Sequence, residues 1–167
     1  MSKLKVFFLY YAPVLFIAGL IFYSSSQPYG KQDIRPELSH LSFLAGIVKH
    51  FNFVHFTYAK EVVSIDALGV PGFTEFFIRK LSHFTIYLLL CFFTTRLINF
   101  YKPSIKYLGF VFSVVYASSD EFHQMFTADR TPLVQDVILD SIGALVGFVL
   151  FNMLWKKVKK QKKSVNK

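Results

Sequence analysis

The chain has 167 residues, 53% of them apolar by a wide definition and 19% aromatic, and carries a formal net charge of +9. Charged residues make up only 17%, against about 25% in a typical soluble domain; with 21 phenylalanines this excludes a disordered chain and leaves too few polar residues to cover a soluble globule. A single cysteine, Cys91, excludes a disulfide framework or a thiolate zinc site within one chain. The fold class these numbers predict is an all-α integral membrane protein, with about four transmembrane helices counted as follows.

Residues 6–23 form an uncharged run of eighteen, flanked by Lys3 and Lys5. A bilayer core about 30 Å thick needs roughly 20 mostly apolar residues per helix, and Pro13 is tolerated in lipid. A cleaved signal peptide is the competing reading, with Ser24-Ser25-Ser26 as its cleavage site. Its apolar region is longer than the usual ~7–15 residues, which favours a retained span. Residues 24–72 contain no further span. In them Leu41, Leu44, Val48 and Phe51 recur at helical spacing, which predicts a short amphipathic helix at the membrane interface. Phe51, Phe53, Phe56 and Tyr58 then interleave with His50, Asn52 and His55, as suits the headgroup layer. Alternation over 51–54 also fits a short strand. His40, His50 and His55 invite a metal reading, but His50 and His55 fall on different faces of a helix, and neither metal nor cofactor is expected.

Pro71-Gly72 predicts a break, with Thr74 capping a second span over 76–99. A third, shorter span covers 105–119, between Pro103 and Asp120. The fourth covers 133–155 and contains a Gly143-x-x-x-Gly147 pair, the spacing that lets a second helix approach closely. The membrane domain is therefore 1–155, and 156–167 is a tail with seven lysines and no acid. Because it follows an apolar span directly, its partner is expected to be anionic inner-leaflet lipid rather than nucleic acid. With an even number of spans both termini share one side. If that side is the cytoplasm, the inner segments hold Lys3, Lys5, Arg96, Lys102, Lys106 and the tail lysines without a single acid. The asymmetry follows the positive-inside rule, and both termini are expected inside.

The polar residues of the spans collect at one level. Arg79, His83 and Tyr87 are spaced by four and share a face, with Lys80 beside them; Asp136 and Asp140 share another. At 1.5 Å per residue the two aspartates lie ~5 and ~10 Å below the outer surface. The third span delivers Asp120 and Glu121 to the same level, with Gln124 one turn on and Arg130 in the following loop. An ionised side chain in hydrocarbon costs at least about 2.5–3.5 kcal/mol, so these groups face partners or water. Two arrangements satisfy that. One is a closed ion-pair network that only sets helix register, making the protein a non-catalytic scaffold or subunit. The other is a shallow outward pocket in which Arg79, Lys80 and Arg130 take an anion, with Tyr87, Asp120 and Gln124 completing the wall. Asp136 and Asp140 then orient the cations, and Glu121 or His83 is the catalytic proton-transfer residue if chemistry occurs. A small proton-coupled transporter acting as an oligomer is a third reading. No glycine-rich phosphate loop is present.

Four segments in this order resemble the VanZ-like family of bacterial membrane proteins: Ser25-Ser26-Gln27; Arg79-Lys80-x-x-His83-Phe84-x-x-Tyr87; Asp120-Glu121-x-x-Gln124-x-Phe126 leading to Arg130; and Asp136-Val137-x-x-Asp140-x-x-Gly143-x-x-x-Gly147. The chain departs from the family in having Ala128-Asp129 where a Pro-Gly-like turn commonly precedes the arginine, and in a longer segment over 28–72. The resemblance implies a multi-pass protein of the bacterial cytoplasmic membrane and, through the family's namesake, a contribution to resistance against teicoplanin, a lipid-bearing glycopeptide. The implied partners are membrane lipids, and a lipid-linked envelope precursor or lipoglycopeptide. The resemblance supplies a phenotype and a place, not a reaction.

Overall fold

The computed structural model describes residues 1–128 and 130–165. Asp129, one half of the departure from the family turn, lies outside the described residues, as does the very end of the lysine tail. Helix α1 spans Lys3–Ser25. It is apolar on every side, and only Ile17, Ile21 and Ser25 of it are buried, while Leu15, Phe16, Phe22 and Tyr23 point outward. The turn Phe7–Tyr11 is widened to π geometry just ahead of Pro13, where a proline ring would otherwise press on the carbonyl one turn back.

The following segment is built of short pieces: a 3-10 turn Tyr29–Lys31, helix α2 Arg35–Ser39, helix α3 Ser42–Val48 and a second 3-10 turn Lys49–Phe51. The expected apolar stripe is thus divided, with Leu41 ahead of α3 and Phe51 in the 3-10 turn; Val48 alone of the four is buried, against Val63 and Phe73. The strand expected over 51–54 falls instead at β1 Phe56–Tyr58, paired antiparallel with β2 Glu61–Val63. Tyr58 sits opposite Glu61, so the connection is the two-residue turn Ala59-Lys60, in which both residues have positive φ (49° and 75°). That geometry matches the right-handed twist of a hairpin, which is why two residues suffice.

Helix α4 runs over Ile65–Tyr101, with Ser64 accepting from the Ala67 N–H at its start. Its break is at Gly69 (φ 65°, ψ 170°), ahead of Pro71-Gly72, and the helix resumes at once. A proline in a first turn forfeits no intrahelical bond, so Pro71 opens the long run instead of interrupting it. Thr74 is consequently inside the helix, where its hydroxyl donates to the Val70 carbonyl at 2.8 Å and caps nothing. After a 3-10 turn Pro103–Ile105, helix α5 covers Leu108–Gln124 and helix α6 covers Val134–Val165. The α5 boundary lies beyond the expected residue 119: Asp120, Glu121 and Gln124 continue the helix because their side chains turn into the protein, where all three are buried.

Among the described residues three helices are long and apolar enough to cross a membrane: Lys3–Ser25, Ile65–Tyr101 and Val134–Gln161. Helix α5, at 17 residues, is about 26 Å long. The long helices α4 and α6 make the most extensive pairing, with α5 against both and α1 laid across α4 and α5. Glycine permits the closeness. The carbonyl oxygens of Phe84 and Leu88 occupy the places where side chains of Gly143 and Gly147 would begin, and the Cα atoms of Phe84 and Leu88 lie 3.2 Å from those points. Farther along α4, a Cβ on Gly109 would stand 2.7 Å from the backbone nitrogen and Cα of Thr95. A core of Ile17, Ile21, Tyr87, Leu90 and Ala117 joins α1, α4 and α5.

Candidate functional site

The polar residues meet where α1 and α5 end and α4 and α6 begin. The hydrophobic faces place them: the same tight α4–α6 pairing that buries Gly143 sets Asp140, one turn earlier, against α4. Asp140 is 0% exposed, and its Oδ2 lies 3.5 Å from His83 Nδ1. One turn outward, Lys80 Nζ meets Asp136 Oδ1 at 2.6 Å, in the first turn of α6, where a carboxylate also suits the positive end of the helix dipole. The hairpin closes over this pair. Tyr58 donates to the same Asp136 oxygen at 2.5 Å, and the Lys80 ammonium sits 4.5 Å from the Tyr58 ring centroid. Burial, reinforced by the Asp136 carboxylate it already bonds, raises the Tyr58 phenol above its ordinary pKa, so it serves as a donor.

Arg79 follows a different course. Its guanidinium lies 4.5 Å over the Tyr29 ring, and its Nη1 is buried without a hydrogen-bond partner among the described residues. Tyr29 in turn donates to Glu75 at 3.0 Å, and Arg35 Nε stands 3.5 Å from the same carboxylate. Among the described residues Arg130 does not pair with an acid either. It donates to the backbone carbonyls of Gln27 and Ser24, at 3.3–3.5 Å, and to the Gln32 side-chain oxygen, tying its loop to the end of α1. Burial, with the Arg79 charge nearby, lowers the Arg130 pKa below its ordinary value.

The remaining expected residues are placed as follows. Glu121 is buried and accepts the Leu133 N–H at 2.8 Å, which fixes the chain entering α6; it lines neither of the cavities described next. Asp120 accepts from Gln124 at 3.2 Å, and Gln124 also reaches Ser25 at 3.5 Å. Tyr87 is fully buried with its hydroxyl unpaired among the described residues. The acids and bases therefore do not close into one continuous network: among the described residues of the cluster, Lys80 pairs with Asp136, and Arg35 pairs with Asp33 and more distantly with Glu75.

Two cavities open on this cluster. The first, about 500 Å³, is the more polar of the two: Tyr58, Glu75, Lys80, Asp136, Arg79, His83 and Arg130 line it together with the apolar Leu68, Phe76 and Leu133. The second, about 370 Å³, lies between α1 and α4 and is walled by Leu20, Ile21, Ile34, Ile78 and Ile86. Arg79, His83 and Arg130 line both. The arrangement offers a cationic seat with an apolar slot beside it.

The sequence reading does not assign four residues of this site to it: Tyr29, Arg35, Glu75 and Tyr58, the last read only as an aromatic of the headgroup layer. Glu75 had a signal, since it stands four before Arg79 and extends the Arg79–His83–Tyr87 face by one turn. The other three come from the segment between α1 and α4, and tertiary folding alone brings them here.

Neither a search of curated proteins nor one of solved structures finds a match. A protein-family model, described as VanZ/LLP1, matches residues 8–155, which takes in every residue of the site and all but the first turn and the tail. The chain belongs to the VanZ/LLP1 family.

Proposed function

We propose that this VanZ/LLP1 protein crosses the bacterial cytoplasmic membrane four times, with both termini inside, and seats an amphiphilic or lipid-linked anion at the outer leaflet, thereby contributing to teicoplanin resistance. The observation that carries the reading is the shared wall: Arg79, His83 and Arg130 stand between a polar cavity and an apolar one. An anionic head group fits the first and its chain the second, so that one molecule satisfies both. Arg79 and Arg130 take the anion, and Lys80, held by Asp136 and Tyr58, is the third cation at the rim. Helix α5, although short, completes the fourth crossing; its polar last turn sits at the outer boundary where the site opens. The charge distribution supports the orientation, because the end of the molecule opposite the site holds Arg96, Lys102 and Lys106 and no acid. The tail lysines rest on anionic inner-leaflet lipid.

The test is complementation of a deletion strain with wild type, Arg79→Gln, Arg130→Gln and Asp136→Asn, reading teicoplanin and vancomycin susceptibility beside the amount of protein in the membrane. The site reading expects teicoplanin protection to be lost at normal protein level. Protection that falls only as protein level falls would instead support a scaffold whose charges set helix register.

A further inference from the structure

The site contains one pair whose arrangement suits reaction as well as binding. Asp140 is wholly buried, and neither carboxylate oxygen accepts a hydrogen bond from the described residues; the basic group within 4 Å of it among them is His83. A carboxylate behind Nδ1 holds the proton on that nitrogen and leaves Nε2, on the opposite edge of the ring, as a free base. His83 lines both cavities while Asp140 lines neither, so the free edge of the imidazole faces the space assigned to the head group. The 3.5 Å separation is long for a hydrogen bond, and such pairs tighten when a site is filled. Beside this base stand two guanidinium groups. Arg79 has a buried donor without a partner, and Arg130 is engaged by carbonyls and an amide, neither of which cancels its charge. Planar forks of this kind match the oxygens of a phosphate. A base, two cations and an adjoining apolar slot are the parts that hydrolysis of a lipid phosphate requires.

We infer that His83, positioned by Asp140, hydrolyses a phosphate monoester of a long-chain alcohol. The inference rests on the reading that the site holds an anionic amphiphile and adds a reaction to it. His83 Nε2 takes a proton from water, and the water oxygen bonds to phosphorus as the bond from phosphorus to the lipid oxygen breaks. That oxygen leaves with the proton carried by the phosphate monoanion, giving the free alcohol. The imidazolium returns its proton through the released phosphate, so one water is consumed and no oxidation state changes. Arg79 and Arg130 hold the non-bridging oxygens, where charge accumulates. Asp140 touches no reacting atom and is a positioning residue.

The experiment uses the full chain in detergent. Farnesyl monophosphate and dioctanoyl phosphatidate are the hydrolysable probes, with inorganic phosphate as readout. Dodecylphosphonate, whose carbon–phosphorus bond cannot be hydrolysed in this way, reports binding by calorimetry. The expected result is phosphate release from at least one ester, lowered at least about 100-fold by His83→Asn while dodecylphosphonate still binds. Asp140→Asn is expected to lower kcat with KM unchanged, and where His83→Asn fails to accumulate, His83→Gln replaces it. Binding of dodecylphosphonate with no phosphate release above the His83→Asn level overturns the hydrolytic inference and leaves the ligand site standing. Absence of binding as well overturns both.

Discussion

Gly147→Ala tests the α4–α6 contact on which the geometry of the site depends. The new methyl would lie 2.9 Å from the Leu88 carbonyl carbon and 3.2 Å from its Cα, with the carbonyl oxygen closer still. Ordinary contact at such a position begins at 3.4 Å, and the obstruction is backbone, so no rotamer change relieves it. The helices must separate by several tenths of an ångström or more. Overpacking of this kind costs about 1–3 kcal/mol, and alanine returns ~0.5–1 kcal/mol of helix preference. The net loss is about 1–2 kcal/mol, or roughly 2–8 °C in Tm at this chain length. Gly19 on α1 is the control, because nothing lies within 4 Å of its missing side chain; there the same change leaves Tm level or raises it. Trp155 fluorescence on heating in detergent gives both numbers. A Gly147→Ala protein that melts at or above wild type would refute the close approach, and with it the placement of Asp140 against His83.

Three further predictions concern the neighbouring parts. Gly109→Ala meets the Thr95 backbone at 2.7 Å and should also lower Tm in the same assay, through the α4–α5 contact instead. Tyr58→Phe removes the hairpin's bond to the Asp136 carboxylate, worth about 1.5–3 kcal/mol for a bond to a charged group; amide exchange over β1 and β2 should rise while exchange in the middle of α4 stays unchanged. Asp33 accepts from the Arg35 side chain and backbone, and these bonds hold its carboxyl at about 2, below its ordinary 3.8. A depressed carboxylate contributes fully above the ordinary value and loses its contribution as pH falls through about 2. Carbon-detected titration should therefore show the Asp33 midpoint near 2, and Arg35→Gln, which removes the side-chain bonds but keeps the backbone N–H, should raise it toward 3.8 without reaching it.

How much of this was legible in the sequence follows from the range of the forces involved. The spacing of four that aligns Arg79, His83 and Tyr87, and the one that aligns Asp136 and Asp140, are properties of a helix and need no partner to be seen. Gly143 and Gly147 likewise announce a close approach, though not that Phe84 and Leu88 supply the opposing carbonyls. Thr74 looked like a cap because Pro71-Gly72 looked like a break; the positive φ that makes the break falls on Gly69, and a proline two residues later suits a new first turn. Glu75 carried a readable signal that went unused. Tyr58 carried none, since its reach to Asp136 depends on a two-residue turn of Ala59-Lys60 that lacks the usual glycine or asparagine. Arg130 could be read as a partner of carboxylates or as a seat for an anion; that it holds the carbonyls at the end of α1 depends on where its loop lies, which sequence does not show.

The attachment of α1 has a consequence for biosynthesis. Besides a local bond from Gln32 to the Ser24 carbonyl, α1 and the turn after it are tied to residues far ahead: Tyr116 donates to the Ala18 carbonyl, Thr127 to that of Ser25 and Arg130 to those of Ser24 and Gln27, separations of 98 to 106 positions. Helix α1 is therefore made well before these partners exist. Until α5 and its following loop have been made, the Ala18 and Ser25 carbonyls lack their side-chain donors, while the Ser24 carbonyl already has the nearby Gln32 amide at 2.8 Å. Its apolar circumference lets it wait in lipid without cost. The frame of α4, α5 and α6 thus assembles first, and the docking of the earliest helix onto it is the step that finishes the apolar cavity.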